Sequence, residues 1–157
     1  MYRSITLTIM LLASLGLHAQ VGFQISPGKV FFRQRSGEPV SQTVKIMNPT
    51  TTEMTMECKF VDWKRDSTGK KLYFQPGTLP NSNAKFLNVI PASFTLQPGE
   101  SRVLEVILSL PEGQDRQVTN SMLFVTQVSE KDVVPNKEKK MAAGAIFRVE
   151  MGIHIYN

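Results

Sequence analysis

From residue 21 onwards the chain is a series of short apolar clusters, each closed by Pro, Gly, Asn or Ser. Their β-branched and aromatic content predicts strands, and no stretch repeats apolar residues at helical spacing. The predicted extended segments are residues 21–25, 29–34, 42–47, 54–63, 72–74, 86–90, 94–96, 102–110, 121–128 and 145–156. In residues 42–47, Val44 and Ile46 share one side and Thr43, Lys45 and Met47 the other. In residues 102–110, Leu104, Val106, Leu108 and Leu110 alternate with Val103, Glu105, Ile107 and Ser109, which predicts burial of the first set. Pro91 predicts an edge strand or a kinked one. Turn chemistry separates the clusters: Asn48-Pro49-Thr50, Asp66-Ser-Thr-Gly69 and Gln97-Pro-Gly-Glu100. Seven to eight short strands with turns at about 8–12-residue spacing predict an all-β, immunoglobulin-like antiparallel β-sandwich.

The 157 residues suit one domain, and a hydrophobic share of 41% is too high for a disordered chain. Residues 1–19 read as a cleaved signal peptide: Arg3 supplies the positive start, residues 5–17 are an uncharged apolar run, and Leu17-His18-Ala19 ends in a small residue. A spanning helix needs about 20 apolar residues, more than this run offers. The reading is therefore export to the periplasm or cell surface, with residues 20–157 as a single domain and no stable membrane insertion. Cleavage removes Arg3, one unit of the formal +5. The remaining excess lies in residues 20–75, with nine bases against five acids. Such a half can attract an acidic protein, lipopolysaccharide or nucleic acid, or simply solubilise the surface, and export argues against nucleic acid. Cys58, the single cysteine, falls on the side of Met54, Met56 and Phe60 and is expected as a buried structural thiol. One cysteine cannot make a disulfide framework or a thiolate metal site, so no metal or other cofactor is expected.

Residues 129–144 form a polar stretch of balanced charge, expected to be a mobile loop. After it, Ala145, Phe147, Val149, Met151, Ile153 and Ile155 point one way, and Ile146, Arg148, Glu150, Gly152, His154 and Tyr156 the other. A strand of that length is about 40 Å long. Its apolar face can complete its own sandwich, or be lent in part to another protein by β-augmentation.

The order of these pieces resembles the amino-terminal domain of PapD-like periplasmic chaperones, which assemble pili. The motifs that carry the resemblance are Ile25-Ser-Pro-Gly-Lys-Val-Phe-Phe32, Val44-Lys-Ile-Met-Asn-Pro49, the stretch from Val89 through Pro98-Gly99 to Val106, Asn120-Ser-Met-Leu-Phe-Val125, and residues 145–156 as the donor strand. The resemblance implies two basic anchors for a partner's terminal carboxylate. Lys29 falls at the first position, and His154 at the second, where the family has lysine. It implies Ala145, Phe147 and Val149 as donated side chains, with Met151 next on the same face. Chaperones of this type grip their subunit between two domains, and this sequence ends where the second begins. Lys29 and His154 are thus expected to face solvent unless another chain supplies a wall.

The function expected is an exported chaperone-like or adaptor protein that binds an extended segment of a partner (pilin-like, or a surface or secretion component) through its terminal strand. The alternative is a permanent structural subunit of a cell-surface or secretion assembly, and a homodimer closed by strand pairing suits either role. Catalysis is not expected. His154 is the one histidine of residues 20–157, its face carries no nucleophile, and no metal-binding or phosphate-cradling motif occurs.

Overall fold

The structure, a computed structural model, describes residues 22–33, 37–113, 118–128 and 149–157. Residues 1–19, read above as a signal peptide, the polar stretch 129–144, and residues 145–148, expected to open the terminal strand and including Ala145 and Phe147, lie outside the described residues.

Ten strands are described: β1 (Gln24–Ser26), β2 (Lys29–Phe31), β3 (Val40–Met47), β4 (Met54–Arg65), β5 (Lys71–Phe74), β6 (Leu87–Ile90), β7 (Ser93–Leu96), β8 (Ser101–Leu108), β9 (Asn120–Val128) and β10 (Glu150–Tyr156). A 3₁₀ turn, Ala84–Phe86, precedes β6. One sheet has the order β1-β3-β8-β6. The other runs β2-β10-β9-β4-β5, with β7 also paired to β4. The result is the expected immunoglobulin-like sandwich.

Two features differ from the expectation of seven to eight antiparallel strands, and both trace to proline. Pro27 divides the opening segment between the sheets: β1 pairs antiparallel with β3, whereas β2 pairs parallel with β10. Pro91 divides the next pair in the same way, β6 joining β8 and β7 joining β4. Proline has a fixed φ and no N–H to give a ladder, so the chain leaves one sheet at each of these positions and enters the other.

The predicted alternation sets the core. Val44, Ile46, Leu104, Val106 and Leu108 of the first sheet face Met54, Met56, Cys58, Leu123, Val125, Ile153 and Ile155 of the second, and all are buried. Each such side chain contributes about 1.5–3 kcal/mol by leaving water, which makes the alternation the main determinant of which face turns inward.

At the end of β3, buried Asn48 ties two turns together. Its Nδ2 donates to the carbonyls of Thr52 (2.7 Å), Leu96 (3.2 Å) and Gln97 (3.2 Å), while its Oδ1 accepts from the N–H and hydroxyl of Thr50 (3.0 and 2.7 Å). Asp62 plays a similar part on β4. Fully buried, it accepts from Leu79 N (2.8 Å) and from the Ser82 hydroxyl, and so fastens the loop that follows β5.

Candidate functional site: an open strand rim beside a basic cluster

The last strand has an inner face, an outer face and an edge. On the inner face, Ile153 and Ile155 are buried in the core, and Val149 and Met151 are half-buried at its margin. Val149 packs over Gly22, whose φ of +91° and missing Cβ let the chain pass closely: a Cβ there would come within 3.2 Å of Val149 Cγ1.

The edge follows from ladder geometry. Gln127 N donates to Val149 O (2.9 Å), and Thr119 and Asn157 exchange a reciprocal pair (2.9 and 3.0 Å). Odd-numbered residues of β10 therefore bond to β9, and the peptide groups of even-numbered residues point to the other edge. There β2 takes up the last part of the strand: its register spans His154–Tyr156, His154 N donates to Gly28 O (3.2 Å), and Phe32 N donates to Tyr156 O (2.8 Å). Glu150 and Gly152 also present N–H and C=O groups on this edge, and no strand among the described residues pairs with them there. The rim is closed at one end and open at the other.

On the outer face, Lys29 is the Cα partner of His154. The two residues that the resemblance singled out are thus brought together, with further company. Lys71 Nζ, on β5, lies 2.9 Å from His154 Nε2. An ammonium group only donates, so Nε2 accepts and the ring proton sits on Nδ1, 3.5 Å from Tyr156 Oη. Trp63 meets the imidazole edge-on with centroids 4.6 Å apart. The Lys71 ammonium and the Arg65 guanidinium both lie over the Trp63 ring, at 5.6 and 6.0 Å. Tyr156 stacks on Phe31 at 5.3 Å. Burial, with Lys71, Lys29 and Arg65 adding positive charge, holds His154 below its ordinary pKa and favours the neutral ring. His154 is half-buried, so the expectation that it faces open solvent is corrected: Trp63 and Lys71 cover it. Lys29 is exposed.

Lys71, Arg65 and Trp63 were not among the candidates from the sequence, although part of the signal was there. Alternation along β4 puts Trp63 and Arg65 on one face. The turn at Asp66, which accepts from Thr68 N, Thr68 Oγ1 and Lys70 N (2.9, 2.7 and 3.0 Å), closes a hairpin that sets Arg65 opposite Lys71. The fastening is local, and it aims both cations at the same ring.

A separate apolar groove of about 610 Å³ is lined by Lys59, Phe60, Val61, Tyr73, Phe74, Gln75 and Pro76. It lies where β4 is bare between its pairings with β7 (54–57) and β5 (62–65). Among the described residues no group of three His, Cys, Asp or Glu side chains is placed to hold a metal ion, and no helix is long and apolar enough to cross a membrane.

No family model matches the sequence, and no curated protein matches it. Solved structures do match in fold. The CsuC–CsuE chaperone–tip adhesion subunit complex of Acinetobacter baumannii has a TM-score of 0.55 and 16% identity over 87% of this chain and 56% of the other. The E. coli chaperone DraB gives 0.56 and 13% over 86% and 53%. The seventh PapD-like domain of human CEP192 gives 0.53 and 13% over 89% of each chain. The fold is therefore the PapD-like one. The chain spans about half the length of the two bacterial chaperones. The human domain matches over nearly its whole length, so the sandwich is not confined to pilus proteins and function has to be argued from the site.

Proposed function

We propose that this chain is an exported chaperone-like or adaptor protein that binds an extended segment of a partner protein by strand addition to the open rim of β10. The observation that carries the reading is the bare edge at Glu150 and Gly152, which ends against the Lys29–His154 pair. A segment running parallel to β10 would form main-chain hydrogen bonds along that edge and be stopped where β2 begins, leaving its terminal carboxylate beside Lys29. Val149 and Met151, with Phe147 and Ala145 before them, would supply the side chains that select the partner. The bacterial structures of this fold support the reading, since CsuC is described in complex with a tip adhesion subunit and SafB of Salmonella enterica with the pilin SafA. No catalytic step is assigned to the site.

Glu150→Pro tests this directly. The substitution removes a rim donor at the first residue of the strand, where proline is tolerated, and leaves the β9 ladder intact. Partner capture, read by photo-crosslinking from position 28, where an added side chain meets open space beside the rim, should fall at least tenfold in periplasmic extracts, roughly the effect of removing one well-placed donor and the register it fixes, with thermal stability little changed. Undiminished crosslinking by a folded Glu150→Pro protein refutes rim binding. The same extracts test export: a mature amino terminus at Gln20 is the expected product. A complex that resists exchange with added free protein would favour the permanent-subunit alternative, and crosslinks between two copies would favour the homodimer.

A further inference from the structure

The basic cluster carries more positive charge than a single terminal carboxylate can match. Lys29, Lys71 and Arg65 all act on His154, and among the described residues no negative group is among the charges acting on it. The ion pairs Lys59–Glu57 and Arg102–Glu100 lie elsewhere on the surface. Lys71 is held in place from two sides, by the imidazole at 2.9 Å and by the Trp63 ring at 5.6 Å, so its ammonium does not sweep freely through solvent. Of the three cations, Lys29 alone belongs to the strand that closes the rim. Arg65 and Lys71 stand further across the outer face, opposite each other on β4 and β5. Gly152, two residues before His154 on β10, is exposed and without a side chain, with Met122 and Phe124 folded over the space that a Cβ would take. A strand docked on the rim would end beside Lys29 and His154, and Lys71 meets the His154 ring at 2.9 Å, so the cluster begins where the docked strand stops.

We propose that the Lys29–Arg65–Lys71–His154 cluster reads a second negative charge, an aspartate or glutamate within the last two residues of the partner segment, in addition to its terminal carboxylate. The inference rests on the strand-addition reading and deepens it by naming the chemistry of the partner's end. Lys29 takes the carboxylate at the rim. Lys71 takes the acidic side chain across the outer face, with Arg65 behind it, and Trp63 and His154 fix the ammonium so that little order has to be gained on binding. A neutral side chain at the same place would leave Lys71 and Arg65 without a counter-charge, which makes the selection one of charge rather than size.

The experiment uses the purified protein and synthetic peptides of alternating Val and Thr. One ends in Asp-Thr with a free carboxylate. A second has Asn for Asp, a third has an amidated end, and a fourth has both changes. Binding is read from the fluorescence of Trp63, which is the chain's single tryptophan and part of the cluster. The Asp peptide should bind about tenfold more tightly than the Asn peptide, the usual value of one charge-assisted contact. Lys71→Gln should abolish that ratio and leave Asn-peptide affinity unchanged, with Arg65→Gln as the second variant. Lys29→Gln should weaken both free-acid peptides alike. Equal binding of the Asp and Asn peptides to the unaltered protein overturns the second-acid proposal while leaving strand addition standing. Absence of binding by all four peptides overturns both, and identifies strand addition as the failure. Inorganic phosphate, or vesicles of phosphatidylglycerol, occupying the cluster more tightly than the Asp peptide would reassign it to phosphate and overturn the proposal as well.

Discussion

Lys71 Nζ reaches across β9 and β4 to within 2.9 Å of His154 Nε2, joining two residues separated by 83 positions. The bond requires a neutral imidazole, and the surrounding cations and burial favour that form. His154 thus serves here as an acceptor that aims a lysine from the far side of the sheet.

This arrangement makes stability depend on pH with a definite sign. His154 has a folded pKa below its unfolded value of about 6.5. Between the two values the unfolded chain binds the extra proton and the folded one does not, so stability rises with pH and is complete above about 6.5. As pH falls below that point, the contribution is lost. Urea midpoints from pH 5 to 7.5 should slope upward more steeply for the unaltered protein than for His154→Gln, whose amide oxygen can still accept from Lys71. Parallel profiles would remove His154 as the cause.

Gly152 should not tolerate a side chain. A Cβ there would stand 2.5 Å from Met122 Sδ and 3.1 Å from Phe124 Cε1, and Met122 is buried with little room to retreat. Gly152→Ala is expected to cost about 1–3 kcal/mol, the usual penalty of forced overpacking. Denaturant unfolding gives the value. Pairing the change with Met122→Ala should recover part of the loss from Gly152→Ala relative to Met122→Ala alone, and strictly additive effects would argue that the two do not meet.

Asn48→Ala should be among the more damaging single changes away from the apolar core. It withdraws a donor from the carbonyls of Thr52 and Leu96 and the acceptor of the Thr50 N–H, while the Gln97 carbonyl keeps its bond from Glu100 N. About 2–3 kcal/mol is expected from buried polar groups left without partners. A loss below about 0.5 kcal/mol, the scatter of ordinary surface substitutions, would mean that water replaces the amide fully.

Cys58 should be inert in the folded protein. Burial, with a smaller effect of Glu57, pushes its thiol up to about 11, so the reactive thiolate is scarce at neutral pH. A disulfide reagent at pH 7.5 should modify it only on the timescale of unfolding, and at once in denaturant. Fast labelling of native protein would place the thiol in an accessible, electropositive setting instead.

Much of the fold was legible because its signals are local. Val44 and Ile46, the four alternating leucine and valine residues from Leu104 to Leu110, and the turns at Asn48 and Asp66 each need only their neighbours to be interpreted, and each is where the alternation put it. The two prolines marked interruptions, but nothing near Pro27 or Pro91 says which sheet the chain joins next. The sheet that each short segment joins, and the parallel β2–β10 pair, were therefore out of reach.

The candidate site divides along the same line. The sequence by itself determined that residues 149–155 carry an apolar side and a polar side, because strand periodicity is a property of consecutive residues. Through a resemblance it also named Lys29 and His154 as the two anchors of one site. Tertiary structure alone decided that β2 covers the strand's last residues and that no strand among the described residues pairs with Glu150 and Gly152 on that edge, and that Lys71, Arg65 and Trp63 gather over His154. Those outcomes depend on pairing between strands far apart in the chain, where the free energy comes from matching whole faces in the core and no short stretch of residues encodes the partner.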